Sequence, residues 1–194
     1  MSVGSDNGVD LAVEPLLPVF GYACEVGANN GVFNSNTLMY ERNGWIVLCI
    51  EPNPLLATAG RGARKLWRQV ACGAEDAENQ RFEVYRGYPH ASFSSFKDRY
   101  GSPSEPTSIQ YVTVRRLDRV LEEAGFPRLD LLCVDVEGWE PEVMAGFTVE
   151  RWKPIIIVVE DVLNRGSNPP PGYREIEKRI FDRIYQRIEM ETVP

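Results

Sequence analysis

The chain has 194 residues, which fits one domain, and 43% of them are hydrophobic, enough to form a full core. It carries 21 lysines and arginines against 28 acidic residues, so its net charge is −7. General nucleic-acid binders gain affinity from a basic surface, and this balance argues against that class. No apolar run is long enough to span a bilayer, and the first residues lack a signal-peptide pattern. We therefore expect a cytoplasmic protein without a membrane span.

Residues 1–18 are rich in glycine, serine, aspartate and proline, and they are predicted to be a flexible lead-in to a single domain over residues 19–194. Apolar runs predict buried strands at 22–26, 45–50, 66–72, 129–134 and 155–159. Alternating patterns predict half-buried strands at 81–86 and 109–114. Helices are predicted at 34–42, at 55–63, at 118–124 with Asp118 as its cap, in a short segment beginning near Pro141, and at 173–184, before an edge strand at 185–193.

Apolar runs that do not alternate, separated by helices, indicate a parallel sheet covered on both faces. The predicted fold class is α/β, with an open doubly wound, mostly parallel sheet. Ligands of such sheets bind at the carboxyl ends of the strands, near the point where the strand order reverses. The four cysteines match no zinc or redox spacing, and each lies in a separate apolar run: Cys24, Cys49, Cys72 and Cys133. We expect buried, reduced thiols.

Four basic residues lie close together after the second predicted strand: Arg61, Arg64, Lys65 and Arg68. They are consistent with a local basic groove, but a solvated helix face explains them more simply. We interpret them as the latter.

The turn after the first strand has the sequence EVGANNG, from Glu25 to Gly31. A dinucleotide fingerprint needs glycine at two further positions, which here are Asn29 and Val32, and their side chains would crowd a pyrophosphate. A P-loop is also excluded, because no Gly-Lys-Ser/Thr follows. The pattern favours a tight glycine turn for a ligand without phosphates.

S-adenosylmethionine is such a ligand. Its ammonium and sulfonium groups are positive, so an acidic strand end such as Glu25 suits it. Its ribose needs a carboxylate that accepts two hydroxyl hydrogen bonds, and Glu51 ends the second strand at the expected distance along the chain. The alternative is that Gly27 and Gly31 only turn the chain and that Glu51 is a surface acid.

The turn after the first strand and several later segments resemble the FkbM family of S-adenosylmethionine-dependent methyltransferases. The matching segments are EVGANNGVF (25–33), IEPNP (50–54), VTVRRLDRVL (112–121), LDLLCVDVEGWEPEVMAG (129–146) and IIIVVE (155–160). The family usually has aspartate where this chain has Glu25, and often lysine where it has Cys133. The resemblance implies a Rossmann-like class I methyltransferase fold. It also implies O-methylation of a hydroxyl on a small molecule, sugar, glycolipid or polyketide-like metabolite.

Residues at turns and strand ends are assigned to the cofactor: Glu25, Gly27, Ala28, Asn29, Gly31, Glu51, Pro52, Asn53, Cys72 and Asp135. Methyl transfer to a hydroxyl also gains from a positioned base. Asp135 and Glu137 lie where the methyl group should point, although either acid has a structural alternative: orienting the loop, or stabilising a helix N-terminus. His90 has a suitable pKa for a base, in a loop whose serine cluster, Ser92, Ser94 and Ser95, resembles a short family motif.

Some methyltransferases of this fold hold a divalent cation between acids at two strand ends, where the cation lowers the pKa of the acceptor. Asp135, Glu160 and Asp161 would supply oxygen ligands for such an ion. A metal is nevertheless not expected, and this set is kept as a hypothesis.

Other classes of function remain open. The chain is alternatively a non-catalytic domain that binds S-adenosylmethionine, or a nucleotide-dependent oxidoreductase, which the two missing glycines disfavour. An RNA ribose methyltransferase would catalyse similar chemistry, but a net charge of −7 disfavours binding to RNA. The expected partner is a small-molecule or carbohydrate acceptor, not a nucleic acid.

Overall fold

The computed structural model describes residues 5, 7–84, 94–96, 106, 108–161 and 168–188. In this part of the chain the strands are β1 (Tyr22–Val26), β2 (Ile46–Ile50), β3 (Leu66–Arg68), β4 (Ala71–Cys72), β5 (Ala77–Val84), β6 (Ser94–Phe96), β7 (Ser108–Arg115), β8 (Leu131–Val134), β9 (Ile156–Glu160), β10 (Tyr173–Lys178) and β11 (Asp182–Arg187). The α-helices are α1 (Val9–Val13), α2 (Leu38–Arg42), α3 (Pro54–Ala63), α4 (Leu117–Glu123), α5 (Glu140–Ala145) and α6 (Val149–Trp152), and a 3-10 helix follows α1 (Glu14–Leu16).

The larger sheet has seven strands in the order β10-β11-β9-β8-β1-β2-β3. Neighbours from β9 to β3 run parallel, whereas β11 is antiparallel to both β9 and β10. The chain moves outward from β1 through β2 to β3, and it later returns to the other side of β1 as β8. The strand order therefore reverses between β1 and β8, and the predicted α/β class with a mostly parallel sheet is confirmed.

Alternate residues of the central strands enter two different apolar clusters. Cys24 and Val26 of β1 pack in one cluster with side chains from α4, α5 and α6. Ala23 of the same strand packs in the other cluster with side chains from α1 and α2. Because side chains alternate along a strand, the two clusters occupy opposite faces of the sheet.

A smaller sheet has the order β4-β7-β5-β6. The third predicted strand, residues 66–72, is divided between the two sheets: β3 pairs with β2, and β4 pairs with β7. Hydrophobicity along the run predicts extended chain in both halves, but it contains no signal for the different strands with which the halves pair.

The prediction of a flexible lead-in is wrong for residues 9–16, which form α1 and the 3-10 helix. Val9 and Val13 are each only 1% exposed. The two valines are four residues apart, so they share one helix face and bury it against the sheet. Tyr40 Oη also donates a 2.7 Å hydrogen bond to the carbonyl oxygen of Asp10.

The predicted C-terminal helix over 173–184 is also wrong, because β10 and β11 form an antiparallel pair instead. β11 begins at 182 rather than 185, and it lies inside the sheet beside β9 while β10 forms the edge. Ile184 and Tyr185 are fully buried and enter opposite apolar clusters. Adjacent apolar residues bury both faces of an internal strand, a pattern that also fits a short helix.

Asp118 is not the cap of α4 as predicted, since the helix begins at Leu117 and Arg116 precedes it. Its carboxylate accepts hydrogen bonds from Thr148 N (2.8 Å), Thr148 Oγ1 (2.6 Å) and Trp152 Nε1 (2.9 Å). Asp118 therefore ties α4 to α6.

The prediction for the cysteines is confirmed: all four are free and buried, in β1, β2, β4 and β8. Within the described ranges, no helix combines the length and the apolar character needed to cross a membrane.

Candidate functional site

The predicted site residues follow four adjacent parallel strands. Val26 is opposite Ile50 and Val134, and Val134 is opposite Val159. The segments that begin at Gly27, Glu51, Asp135 and Glu160 consequently meet at one edge of the sheet, where the strand order reverses.

The turn after β1 requires glycine at its first position. Gly27 has a φ of +87°, and a Cβ added there would lie 1.6 Å from the carbonyl oxygen of Asp135. The amides of Gly27 and Ala28 both donate to the carbonyl oxygen of Ile50, at 2.9 and 3.0 Å. This turn is therefore packed between the ends of β2 and β8.

The next residues form a compact loop. Gly31 N donates to the carbonyl oxygen of Ala28 at 2.8 Å, and Asn29 has a φ of +51°. Asn30 Oδ1 accepts from the amides of Val32 (3.0 Å) and Phe33 (2.9 Å). The loop is held by its own hydrogen bonds, which agrees with a site formed before the ligand arrives.

Glu51 connects this loop to the segment after β2. Its Oε2 accepts from Asn29 N at 3.1 Å, and its Oε1 accepts from Asn53 N at 2.7 Å. The residue is 6% exposed, and burial raises the pKa of its carboxyl to about 7, although the two amide bonds lower it. A carboxylate has about four acceptor positions, so Glu51 retains capacity for further donors.

The segment Pro52-Asn53-Pro54 starts α3. Asn53 Oδ1 accepts from Leu55 N at 3.0 Å, and Pro54 is the first helical residue, which is the arrangement expected of an N-cap followed by proline. Asn53 is fully buried and caps α3, and its assignment to the cofactor stays a prediction. Pro52 lies beside Glu51 and is partly buried.

Glu25 is also committed to contacts within the protein. Its Oε1 accepts from Asn36 N (2.7 Å), and its Oε2 accepts from Ser35 Oγ (2.7 Å) and Thr37 Oγ1 (2.6 Å). Arg64 Nη1 lies 3.2 Å from the same Oε2, and Glu25 is only 5% exposed. Glu25 therefore holds the loop that follows it, and its assignment to the cofactor stays a prediction.

The interpretation of the basic cluster as a solvated helix face is wrong for Arg64, whose side chain is 0% exposed. Arg61 and Lys65 are exposed, as expected. The sequence carried no signal for this difference, because Arg64 lies just after α3 and its acidic partners are distant in the chain.

Cys72 packs in the same apolar cluster as Val26 and Ile50 and is 3% exposed. Burial raises the pKa of its thiol well above its usual range. The thiol thus belongs to the core behind the site, and its assignment to the cofactor stays a prediction.

The turn after β8 brings Asp135 and Glu137 to the site. Asp135 N donates to the carbonyl oxygen of Val26 at 2.9 Å, and Glu137 has a φ of +57°. Glu140 Oε1 accepts from Gly138 N (2.9 Å) and Val136 N (3.2 Å) and so stabilises this turn. Sequence analysis missed Glu140, although its place at the first residue of α5 was a signal for such bonds.

Three carboxylates converge there. Asp135, Glu137 and Glu160 each offer an oxygen, and these oxygens lie within 4.8 Å of one another. Burial raises the pKa of Asp135 to about 7, and burial together with the charge of Asp135 raises the pKa of Glu160 further. Because the carboxyl groups of Asp135 and Glu160 lie close together, their negative charges repel, and the pair retains a proton more readily than two separate acids would.

Asp161 does not join this group, contrary to the metal hypothesis. Its Oδ2 accepts from Arg183 Nε at 2.6 Å, and its amide donates to the carbonyl oxygen of Phe181. Successive residues of an extended segment point to opposite faces, so Asp161 points away when Glu160 points toward Asp135. Glu137, in the turn after β8, takes the third position instead.

His90 and Ser92 lie outside the described residues. Ser94 and Ser95 lie in β6, paired with Val84 and Glu83 of β5.

The family model of the Methyltransferase FkbM domain matches residues 25–187. The chain therefore belongs to the FkbM family of methyltransferases. Methyltransferase sdnD of Sordaria araneosa is 35% identical over a match of 86 residues that covers 40% of this chain and 33% of that protein. The match thus spans about a third of the relative's length, and no solved structure matches significantly.

Proposed function

We propose that this protein transfers a methyl group from S-adenosylmethionine to a hydroxyl oxygen of a small molecule, sugar or glycolipid. The observation that carries the proposal is the carboxylate of Glu51, which is buried at the end of β2 and fixed by the amides of Asn29 and Asn53. We also propose that the larger sheet is the doubly wound, Rossmann-like sheet of class I methyltransferases. The reversal of strand order beside β1 and the apolar clusters on both faces support this.

The residues present fit this cofactor. The Glu51 carboxylate suits the two ribose hydroxyls, because both are donors and the carboxylate accepts only. The acids at the strand ends suit the positive ammonium and sulfonium groups. Asn29 and Val32 carry side chains where a dinucleotide site needs glycine, so the same loop disfavours a nicotinamide cofactor.

When bound, S-adenosylmethionine supplies an electrophilic methyl group on a positively charged sulfur. The acceptor's hydroxyl oxygen would bond to the methyl carbon as the carbon–sulfur bond breaks, and S-adenosylhomocysteine would leave with the bonding electron pair. Asp135 takes the hydroxyl proton. Its carboxyl has a pKa of about 7, and it lies where the strand order reverses, between β1 and β8. Burial and the charge of Asp135 raise the pKa of the neighbouring acid Glu160, so Glu160 stays protonated while Asp135 accepts the proton.

Calorimetric titration with S-adenosylhomocysteine tests the cofactor assignment. We expect micromolar binding by the wild-type protein and a loss of about tenfold to a hundredfold in affinity for Glu51→Gln, because a buried hydrogen bond to a charged group is lost. Asp130→Asn is the matched control: Asp130 is also buried and also accepts from an amide, that of Tyr22, at the opposite ends of the strands. Its affinity should equal that of the wild type.

No binding by folded wild-type protein would overturn the assignment. Equal affinities of Glu51→Gln and wild type would leave the cofactor in place and remove Glu51 as its ribose ligand.

The proposed proton transfer to Asp135 needs no divalent cation. We expect EDTA to leave methyl transfer unchanged, measured as incorporation of labelled methyl into an acceptor found by screening hydroxylated compounds. A loss of transfer that Mg²⁺ or Mn²⁺ restores would instead assign the three converging carboxylates to a metal.

A further inference from the structure

We infer that Arg64 is a positioning residue for the cofactor loop: its buried guanidinium holds residues 31–37 in the shape that binds S-adenosylmethionine. This inference rests on the proposed function. Arg64 follows α3, so it is not part of the loop that it holds.

The guanidinium contacts the loop at three points. Nη1 donates to the carbonyl oxygen of Gly31 (3.0 Å) and to Ser35 Oγ (3.0 Å), and Nη2 donates to Thr37 Oγ1 (2.8 Å). These acceptors lie at both ends of one segment that has no long helix or strand of its own. A single planar group therefore fixes the path of the backbone from the glycine turn to the start of α2.

Two carboxylates hold the guanidinium from other elements. Nε donates to Glu41 Oε2 of α2 at 2.8 Å, and Nη1 lies 3.2 Å from Glu25 Oε2 at the end of β1. Burial lowers the pKa of Arg64, but the charges of its acidic partners more than offset this, so the guanidinium stays charged. Ser35 Oγ and Thr37 Oγ1 also donate to Glu25, which closes the network.

This arrangement is better explained by positioning than by stability. Desolvation of a buried ion pair offsets much of its attraction, so such pairs contribute little net stability. Two carboxylates face one guanidinium, and the network has one formal negative charge in excess beneath the loop. That charge favours a cationic ligand group, such as the ammonium of S-adenosylmethionine, over an anionic one.

Lysine cannot replace this arginine. An ammonium has three donors at one point, whereas the guanidinium directs five N–H groups outward in a plane. Arg64→Lys keeps the charge and loses contacts to the loop. Thr37→Val is the milder variant, since it removes one hydroxyl from the network with almost no change in shape.

Titration with S-adenosylhomocysteine, combined with thermal unfolding, tests the inference. A positioning role raises Kd while the stoichiometry stays near one site per chain, whereas partial unfolding lowers the stoichiometry. We expect Kd to rise about tenfold to a hundredfold for Arg64→Lys and about threefold to tenfold for Thr37→Val. The matched control is Asp118→Asn, which disrupts a buried polar group between α4 and α6 and should lower Tm without changing Kd.

The inference would be overturned if both variants folded and bound with the Kd of the wild type. It would also be overturned if the variants lowered only the stoichiometry of binding. If Arg64→Lys does not fold, Thr37→Val decides the question by the same criteria. Absence of binding by the wild-type protein would overturn the proposed function and this inference with it, so the two failures are distinct.

Discussion

Replacing Gly27 by alanine is expected to destabilise the fold by at least about 3 kcal/mol and to abolish binding of S-adenosylhomocysteine. The φ of +87° is unfavourable for any residue with a Cβ, and that Cβ would lie 1.6 Å from the carbonyl oxygen of Asp135. The clash is with backbone, so no side-chain movement relieves it. Either β1 and β8 must separate at their carboxyl ends or the turn must change its path, and both changes displace the site.

Alanine variants at two other glycines distinguish the cost of the backbone strain at a positive φ from the cost of the steric clash with the backbone. Gly125 has a φ of +74° and open space where a Cβ would lie, with nothing within 4 Å, so Gly125→Ala should cost only about 1–2 kcal/mol. Gly62 lies in α3 with no close neighbour, and Gly62→Ala should stabilise the protein by up to about 1 kcal/mol. Urea unfolding of the three variants checks the order. A Gly27→Ala protein as stable as Gly125→Ala would contradict the close packing of this turn.

The second large effect concerns the pH dependence of stability. Glu51 has a pKa near 4.5 in the unfolded chain and about 7 in the folded protein, where burial is the main cause. Between these values unfolding releases a proton, so the contribution of Glu51 is fully present below pH 4.5 and is lost as the pH rises through 7. Glu51→Gln removes this titration. Between about pH 5 and pH 8, the free energy of unfolding of the wild type should therefore fall by about 2–3 kcal/mol relative to that of Glu51→Gln.

Asp118→Asn provides a control of opposite sign. Burial raises the pKa of Asp118, but hydrogen bonds from Thr148 and Trp152 lower it below its usual value overall. The stability that this carboxylate contributes is present at neutral pH and is lost as the pH falls through its folded pKa, so the variant should approach the wild type in acid. Urea unfolding at several pH values measures both variants. A pH-independent difference between Glu51→Gln and the wild type would show that Glu51 is ionised throughout this range.

The raised pKa of Glu51 also agrees with a binding site whose buried carboxylate lowers the stability of the free protein. The buried carboxylate is unfavourable in the free protein above about pH 7, and two hydroxyl donors from a ribose would stabilise its charged form. The proposed cofactor thus supplies the interactions that the fold leaves incomplete.

The central strands and the motifs at their ends were predictable from the amino-acid sequence. Apolar runs predict β1, β2, β8 and β9 to within a residue or two, because a strand buried on both faces of a parallel sheet is a nearly continuous apolar run. The turn at Gly27 and the acids Glu51 and Asp135 follow those runs directly, and strand ends of a parallel sheet meet at one edge. Their convergence could therefore be predicted without coordinates.

The partners of the acids depend on contacts between elements that are far apart in the chain. Glu25 and Arg64 are 39 residues apart, and their pairing depends on where α3 ends relative to β1. Likewise, Glu160 rather than Asp161 faces Asp135, because the direction of a side chain at a strand end depends on the strand's register and on the turn opposite it. The hairpin of β10 and β11 is stable through its pairing with β9, a long-range contact that local periodicity does not encode. Local sequence patterns specify the strands and helices and where they end, whereas contacts between distant elements determine which side chains at those ends face one another.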